Sequence, residues 1–248
     1  MAGILFLISA PSGSGKSTLV SQLRSLVDGL DFSISYTTRA PRGSEQDGRE
    51  YHFISREEFL AMVERGEFLE HAEVFGNFYG TPRDSLKAAA EHGRDLLLDI
   101  DVQGAEQVRE SMPDAVTIFV LPPNPEVLEM RLRNRSRAEG SVSDDVIKRR
   151  LAKARTEIEN YRQYGYILIN NILDKAVEEL TAIVKCERLK RGASENRSAE
   201  KQDVQRLAEY AERCRQGNVN GLEDVLRSFG LGAQMRLPNQ QLFENGGE

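Results

Sequence analysis

Hydrophobic positions along the chain follow two periods. Ile4, Leu5, Phe6, Leu7 and Ile8 form a run with no polar interruption. Such a run suits a strand buried on both faces, as in a parallel sheet covered by helices. Similar runs occur at residues 96–100, broken only by Asp99, at residues 116–121 and at Tyr166, Ile167, Leu168 and Ile169. Between them the spacing changes. Leu19, Leu23, Leu26 and Val27 share one helical face, which predicts a helix over residues 17–27, and residues 174–189 read as the last helix of the core. Buried strands alternating with helices predict an α/β fold with a mostly parallel sheet and flanking helices.

Two segments break this alternation. Residues 32–90 mix short strand-like pieces (51–53, 68–74 and 78–79) with polar turns and one helix near 56–65. Residues 122–165 are charged and helical. We read both as insertions over a site at the sheet edge. The expected division is a core of residues 1–31, 91–121 and 166–191, an insertion of 32–90, a lid of 122–165 and an extension of 192–248. In the extension, Val204, Leu207, Ala208 and Ala211 recur at helical spacing, and Asn220 with Glu223 reads as a capping box for a second helix. Helix is expected to about residue 229 and a flexible end beyond it. The amphipathic face must bury either on the chain's own core or in a homo-oligomer.

Composition narrows the class. The chain has 248 residues, 40% of them hydrophobic and 29% charged, enough apolar material for a core. No apolar run approaches the ~18 residues of a bilayer helix, so no membrane is expected, and a secretory signal is a poor reading of the start. Cys186 and Cys214 are too few for a disulfide framework or a cysteine zinc site. Lys plus Arg number 33 and Asp plus Glu 39, a net charge of −6 that argues against nucleic acid as a partner. The expected compartment is the cytoplasm.

The chemistry begins after the first strand. Ala10-Pro-Ser-Gly-Ser-Gly-Lys-Ser17 matches the phosphate-loop pattern except that Ala10 replaces its first Gly. Gly13 and Gly15 let the backbone fold so that successive N–H groups face an anion, and the following helix adds its positive end. Lys16 reaches the β- and γ-phosphates in this pattern, and the Ser17 hydroxyl ligates Mg2+. The loop indicates a nucleoside triphosphate and is silent on the acceptor. For that, Arg39 and Arg42 flank a stiff Pro41, and guanidinium groups bind phosphate bidentately. Tyr51 and Tyr79 can each donate a hydroxyl to the same anion. Glu70 can accept from N1–H and N2–H of guanine, a donor pair that adenine lacks.

Together these pieces resemble the guanylate kinase family. The resemblance runs from about residue 3 to 190. It rests on the loop through Thr18, on Tyr36-Thr-Thr-Arg-Ala-Pro-Arg42, Gly48-Arg-Glu-Tyr-His-Phe53, Phe68-Leu-Glu-His-Ala-Glu-Val74, Gly76-Asn-Phe-Tyr-Gly-Thr81 and Leu98-Asp-Ile-Asp-Val-Gln-Gly104. It implies transfer of the γ-phosphate of ATP to GMP. It further implies that Arg39, Arg42, Tyr51 and Tyr79 hold the GMP phosphate, and that Ser35, Glu70, Thr81 and Asp101 face guanine and ribose. Ser12, Gly13, Ser14, Gly15, Lys16, Ser17 and Thr18 hold the ATP phosphates, with Asn170 and Asn171 at adenine. Asp99 holds Mg2+ through water, and Arg135 and Arg150 close on the ATP phosphates. Lys16, Arg42, Arg135 and Arg150 are the expected catalytic set. The chain departs from the family at Asn171, where Asp is usual, at Asn134 and Ser136 around Arg135, and in a lid about four residues longer between Arg135 and Asp144. A binding module without catalysis, or a kinase of a sugar phosphate, are the other readings.

Overall fold

The computed structural model describes residues 3–138, 143–192 and 201–231. Its centre is a five-stranded, all-parallel sheet built from β1 (Leu5–Ser9), β2 (Leu30–Phe32), β7 (Asp95–Asp99), β8 (Val116–Leu121) and β9 (Tyr166–Ile169), in the order β2-β7-β1-β8-β9. The strand residues alternate between two apolar clusters. Leu5, Leu7, Leu96, Leu98, Phe119 and Leu121 join one, and Phe6, Ile8, Leu97, Ile118 and Val120 the other. This is the period of two of a strand buried on both faces, with helices supplying both covers.

On the second face lie α1 (Lys16–Leu26) and α7 (Leu173–Lys190), through Leu19, Leu23, Leu180 and Ile183. The first face is covered by α4 (Val102–Ser111), α5 (Pro125–Ala138) and α6 (Asp144–Ile158), through Ala105, Leu128, Leu132, Ile147 and Ile158. A second sheet, in the order β4-β3-β6-β5, is formed by β3 (Tyr36–Thr37), β4 (His52–Phe53), β5 (Phe68–Val74) and β6 (Asn77–Pro82). Against it packs α2 (Arg56–Glu64), through a stack of Phe59 with Phe68 and Phe78. The chain then returns to the core by α3 (Arg83–Glu91).

Residues 201–231 of the extension dock on the chain's own core. Its first helix, α8 (Lys201–Arg213), lies along α7 and buries Ala211, followed by buried Cys214. Residues 214–216 then run beside β9: Ile167 N–H donates to the Cys214 carbonyl at 2.8 Å, and Gln216 N–H to that of Gly165 at 3.1 Å. The chain passes round this edge and buries Leu222, Val225 and Leu226 of α9 (Leu222–Ser228), with Phe229, in the cluster on the other face. The bridge that residues 214–216 form opposite Tyr166 satisfies part of the polar edge of β9. The expected capping box does not form. Gly221 in the left-handed region (φ 76°) is the N-cap, which leaves Asn220 one residue too early, and no side chain caps the helix. Residues 139–142, within the lid stretch expected to be longer between Arg135 and Asp144, residues 193–200 of the expected extension, and its end beyond 231 lie outside the described residues. Among those described, no helix is long and apolar enough to cross a membrane.

Candidate active site

The C-terminal ends of β1, β7, β8 and β9 meet at one edge, where ligands bind in open α/β sheets. Here β1 leads into a loop over residues 10–15 and the loop into α1. Gly13 and Gly15 take φ of 92° and 88°, values that favour glycine. Both also admit close neighbours. A Cβ on Gly13 would meet Leu128 Cδ1 at 2.9 Å, and one on Gly15 would meet Asn170 Nδ2 at 2.4 Å. Lys16 forms an ion pair with Asp99 and donates to the Ile100 carbonyl at 2.8 Å.

A cavity of about 1020 Å³ opens above this loop. Its lining includes residues 12–18 and Asp99 on one side, and Ser35, Arg39, Arg42, Tyr51, Glu70, Tyr79 and Asp101 on the other. Arg135, Arg150 and Asn170 also line it. Two expected residues do not. Asn171 is exposed and lies outside the cavity lining. Thr81 is fully buried behind Glu70, donating its hydroxyl to Oε1 at 2.5 Å.

Glu70 sits at 4% exposure on β5. Burial pushes its carboxyl up to about 7, and the nearby Asp101 charge adds to the shift against the Thr81 hydrogen bond. Gly104 makes room for it, since a Cβ there would lie 2.2 Å from Oε2. Asp101 is the N-cap of α4, its Oδ1 accepting from Gly104 N–H at 2.9 Å. Arg39 is 7% exposed and makes a bidentate pair with Glu45, at 2.9 and 3.1 Å. Among the described residues its buried Nε has no partner, an orphan donor of the kind an anionic ligand satisfies. The Tyr51 ring lies 5.3 Å from its guanidinium and meets Tyr79 edge-on at 5.8 Å. Burial raises the Tyr51 phenol well above its ordinary value, so it stays a neutral donor.

The arginines of α5 divide by face. Arg131 and Arg135, four apart, both line the cavity. Arg133 pairs outward with Glu129 and Asp144, each at 2.7 Å. Arg150 on α6 donates to Ser136 Oγ at 3.3 Å and so ties the two lid helices. The sequence reading assigned Arg131 no place in the site. It instead donates to the Ser14 carbonyl at 3.1 Å and to the Asn170 carbonyl at 3.0 Å. Its spacing from Arg135 was the available signal. Glu45, Gly104 and Glu157 were also missed. Glu157 is 9% exposed, lines the cavity and has its carboxyl raised by burial.

For Mg2+ the candidate donors are the exposed Ser17 hydroxyl and the Asp99 carboxylate. Among the described residues, no group of three His, Cys, Asp or Glu could cage a metal. Two hard oxygens at an open phosphate site fit Mg2+, which takes few protein ligands and keeps waters and substrate oxygens.

A family profile described as guanylate kinase matches residues 3–187. A guanylate kinase of Koribacter versatilis is 52% identical over 234 residues, covering 92% of this chain and 97% of that relative. One of Aromatoleum aromaticum is 52% identical over 190 residues, covering 77% and 91%. The crystal structure of guanylate kinase from Anaplasma phagocytophilum superposes with a TM-score of 0.59 at 35% identity, covering 76% of this chain and 87% of that one.

Proposed function

Because the chain belongs to the guanylate kinase family, we infer that it transfers the γ-phosphate of ATP to GMP, giving ADP and GDP. The observation that carries this reading is a single cavity holding the phosphate loop on one side and Glu70, Arg39, Tyr51 and Tyr79 on the other. Donor and acceptor can therefore meet without a covalent enzyme intermediate.

We assign the parts as follows. Residues 12–18 hold the ATP phosphates, with Lys16 on the β- and γ-groups. Arg39, Arg42, Tyr51 and Tyr79 hold the GMP phosphate. Glu70, backed by Thr81 and accompanied by Ser35 and Asp101, reads the N1–H and N2–H edge of guanine. Arg42, Arg135 and Arg150 neutralise the migrating charge, since phosphoryl transfer depends mainly on positioning and electrostatics. Ser17 and Asp99, the latter through water, would hold Mg2+, which when bound neutralises phosphate oxygens. Residues 122–165 act as a lid that excludes water, residues 32–90 as the GMP-binding part, and the cytoplasm is the compartment.

The test is ADP release, followed by a coupled assay with GMP, AMP, UMP and CMP as acceptors. Turnover with GMP far above the rest is expected. Equal rates with AMP, or none with GMP, would overturn the reading.

A further inference from the structure

We propose that Asn170 and Arg131 are positioning residues that set the phosphate loop by gripping one peptide of it, a role resting on the phosphate-loop reading above. The peptide joins Ser14 to Gly15. Its carbonyl accepts from Asn170 Nδ2 at 2.8 Å and from Arg131 Nη1 at 3.1 Å. A trans peptide carries its C=O and N–H on opposite sides. Holding the Ser14 carbonyl toward Asn170 therefore fixes Gly15 N–H on the other side, toward the loop's anion-binding concavity.

The peptide needs such a grip. It runs into Gly15, which sits in the left-handed region at φ 88°, and glycine populates either sign of φ with little preference. A flipped peptide would present an oxygen to the phosphates in place of a hydrogen. The grip is itself fixed. Asn170 is 3% exposed, its backbone N–H donates to the Leu121 carbonyl at 2.8 Å, and its own carbonyl accepts from Arg131 Nη2 at 3.0 Å. Arg131 thus spans the loop and the end of β9. Its helix also presses Leu128 and Leu132 on Gly13. The glycine at position 15 follows from the same contact, because a Cβ would occupy the place of the Asn170 amide.

The family resemblance leads one to expect Asn170 at the adenine base, and the two roles separate with a ligand that has no base. The probe is inorganic tripolyphosphate, competing with ATP in the full-length enzyme. In Asn170→Leu, which nearly keeps the shape and loses the donor without adding a charge beside the phosphates, the tripolyphosphate inhibition constant and the ATP KM should rise together by about 5- to 30-fold. The GMP KM should stay within about twofold. Arg131→Lys, which retains one donor, should give a smaller parallel rise. A raised ATP KM with unchanged tripolyphosphate inhibition would overturn the proposal and place Asn170 at the base. An unchanged ATP KM in both variants would overturn it as well. If the wild-type enzyme itself bound no tripolyphosphate competitively with ATP, the phosphate-loop reading would fall instead.

Discussion

Replacing Gly104 by Ala should separate guanine recognition from stability. Gly104 lies in the first turn of α4 and is not among the glycines with positive φ. In such a position Ala is favoured over Gly by ~0.5–1 kcal/mol. The added methyl would nonetheless lie 2.2 Å from Glu70 Oε2 and 2.7 Å from Cδ. The carboxylate must therefore move by roughly 1 Å to restore ordinary contact. It is buried and tied to Thr81 Oγ1 at 2.5 Å, so it cannot move without losing alignment to a ligand. One misaligned hydrogen bond to a charged group is worth ~1.5–3 kcal/mol, or about 10- to 150-fold in affinity. Helix preference and strain oppose one another, so the melting temperature should change by no more than about 4 °C. Initial rates with GMP varied, then with ATP varied, and a thermal melt give the three numbers. The expected result is a GMP KM raised 10- to 150-fold with the ATP KM within about twofold. An unchanged GMP KM, or a parallel rise in both, would refute the assignment of Glu70 as the guanine reader.

Glu70→Gln keeps the shape and replaces one acceptor by a donor facing guanine; kcat/KM for GMP should fall by about 10²-fold or more while ATP binding is spared. Burial holds the Glu70 carboxyl up at about 7, so in the wild type kcat/KM for GMP should rise as pH increases through that value and level above it. The variant should retain only the titration of GMP's own phosphate, near ~6. A wild-type profile identical to the variant's would exclude Glu70 as the titrating group. The sign for stability is opposite: the fold favours the neutral form, so this stabilisation is complete below 4.5 and is lost as pH rises through about 7. At the sheet edge, Arg215 lies 4.3 Å from the Tyr166 ring and 3.2 Å from Glu187 Oε1. Arg215→Ala should cost about 1 kcal/mol, discounted for partial exposure, and lower the melting temperature by about 2–4 °C with both KM values unchanged. No shift in melting temperature would show that the contact is idle.

Long apolar runs placed four of the five central strands: 116–121 and 166–169 coincide with β8 and β9, and β1 and β7 differ by one residue at each end, whereas the three-residue β2 carries no such run. Burial on both faces leaves few other arrangements for such runs. What escaped sequence reading depends on contacts between distant segments. Nothing local marks Gly104 as the room Glu70 needs, because the two lie on different elements and meet only after folding. Arg131 looks like its solvated neighbour Arg133 until α5 is set against the loop. Glu45 reads as a polar loop residue, yet it occupies two nitrogens of Arg39 and accepts the Arg42 N–H at 2.8 Å. The capping box failed for a local reason: Gly221 supplies the left-handed turn itself.

The two ends of β9 do different work, which is why the extension should stabilise without entering the chemistry. The Gly165–Ile167 end is held by residues 214–216 and by the side chains of Arg215, Glu187 and Tyr166. The other end leads to Asn170, whose side chain grips the phosphate loop. Four strand residues separate them by roughly 13 Å. Over that length β9 is also paired with β8 in register, from Ile118 with Tyr166 to Leu121 with Ile169, and Asn170 N–H donates to the Leu121 carbonyl. The site end is therefore fixed by β8, an interior strand, whatever happens at the outer edge. A weakened edge opens the strand from its far side first, and because unfolding of a packed sheet is cooperative, the loss appears in the melting temperature before it appears in the affinity for ATP.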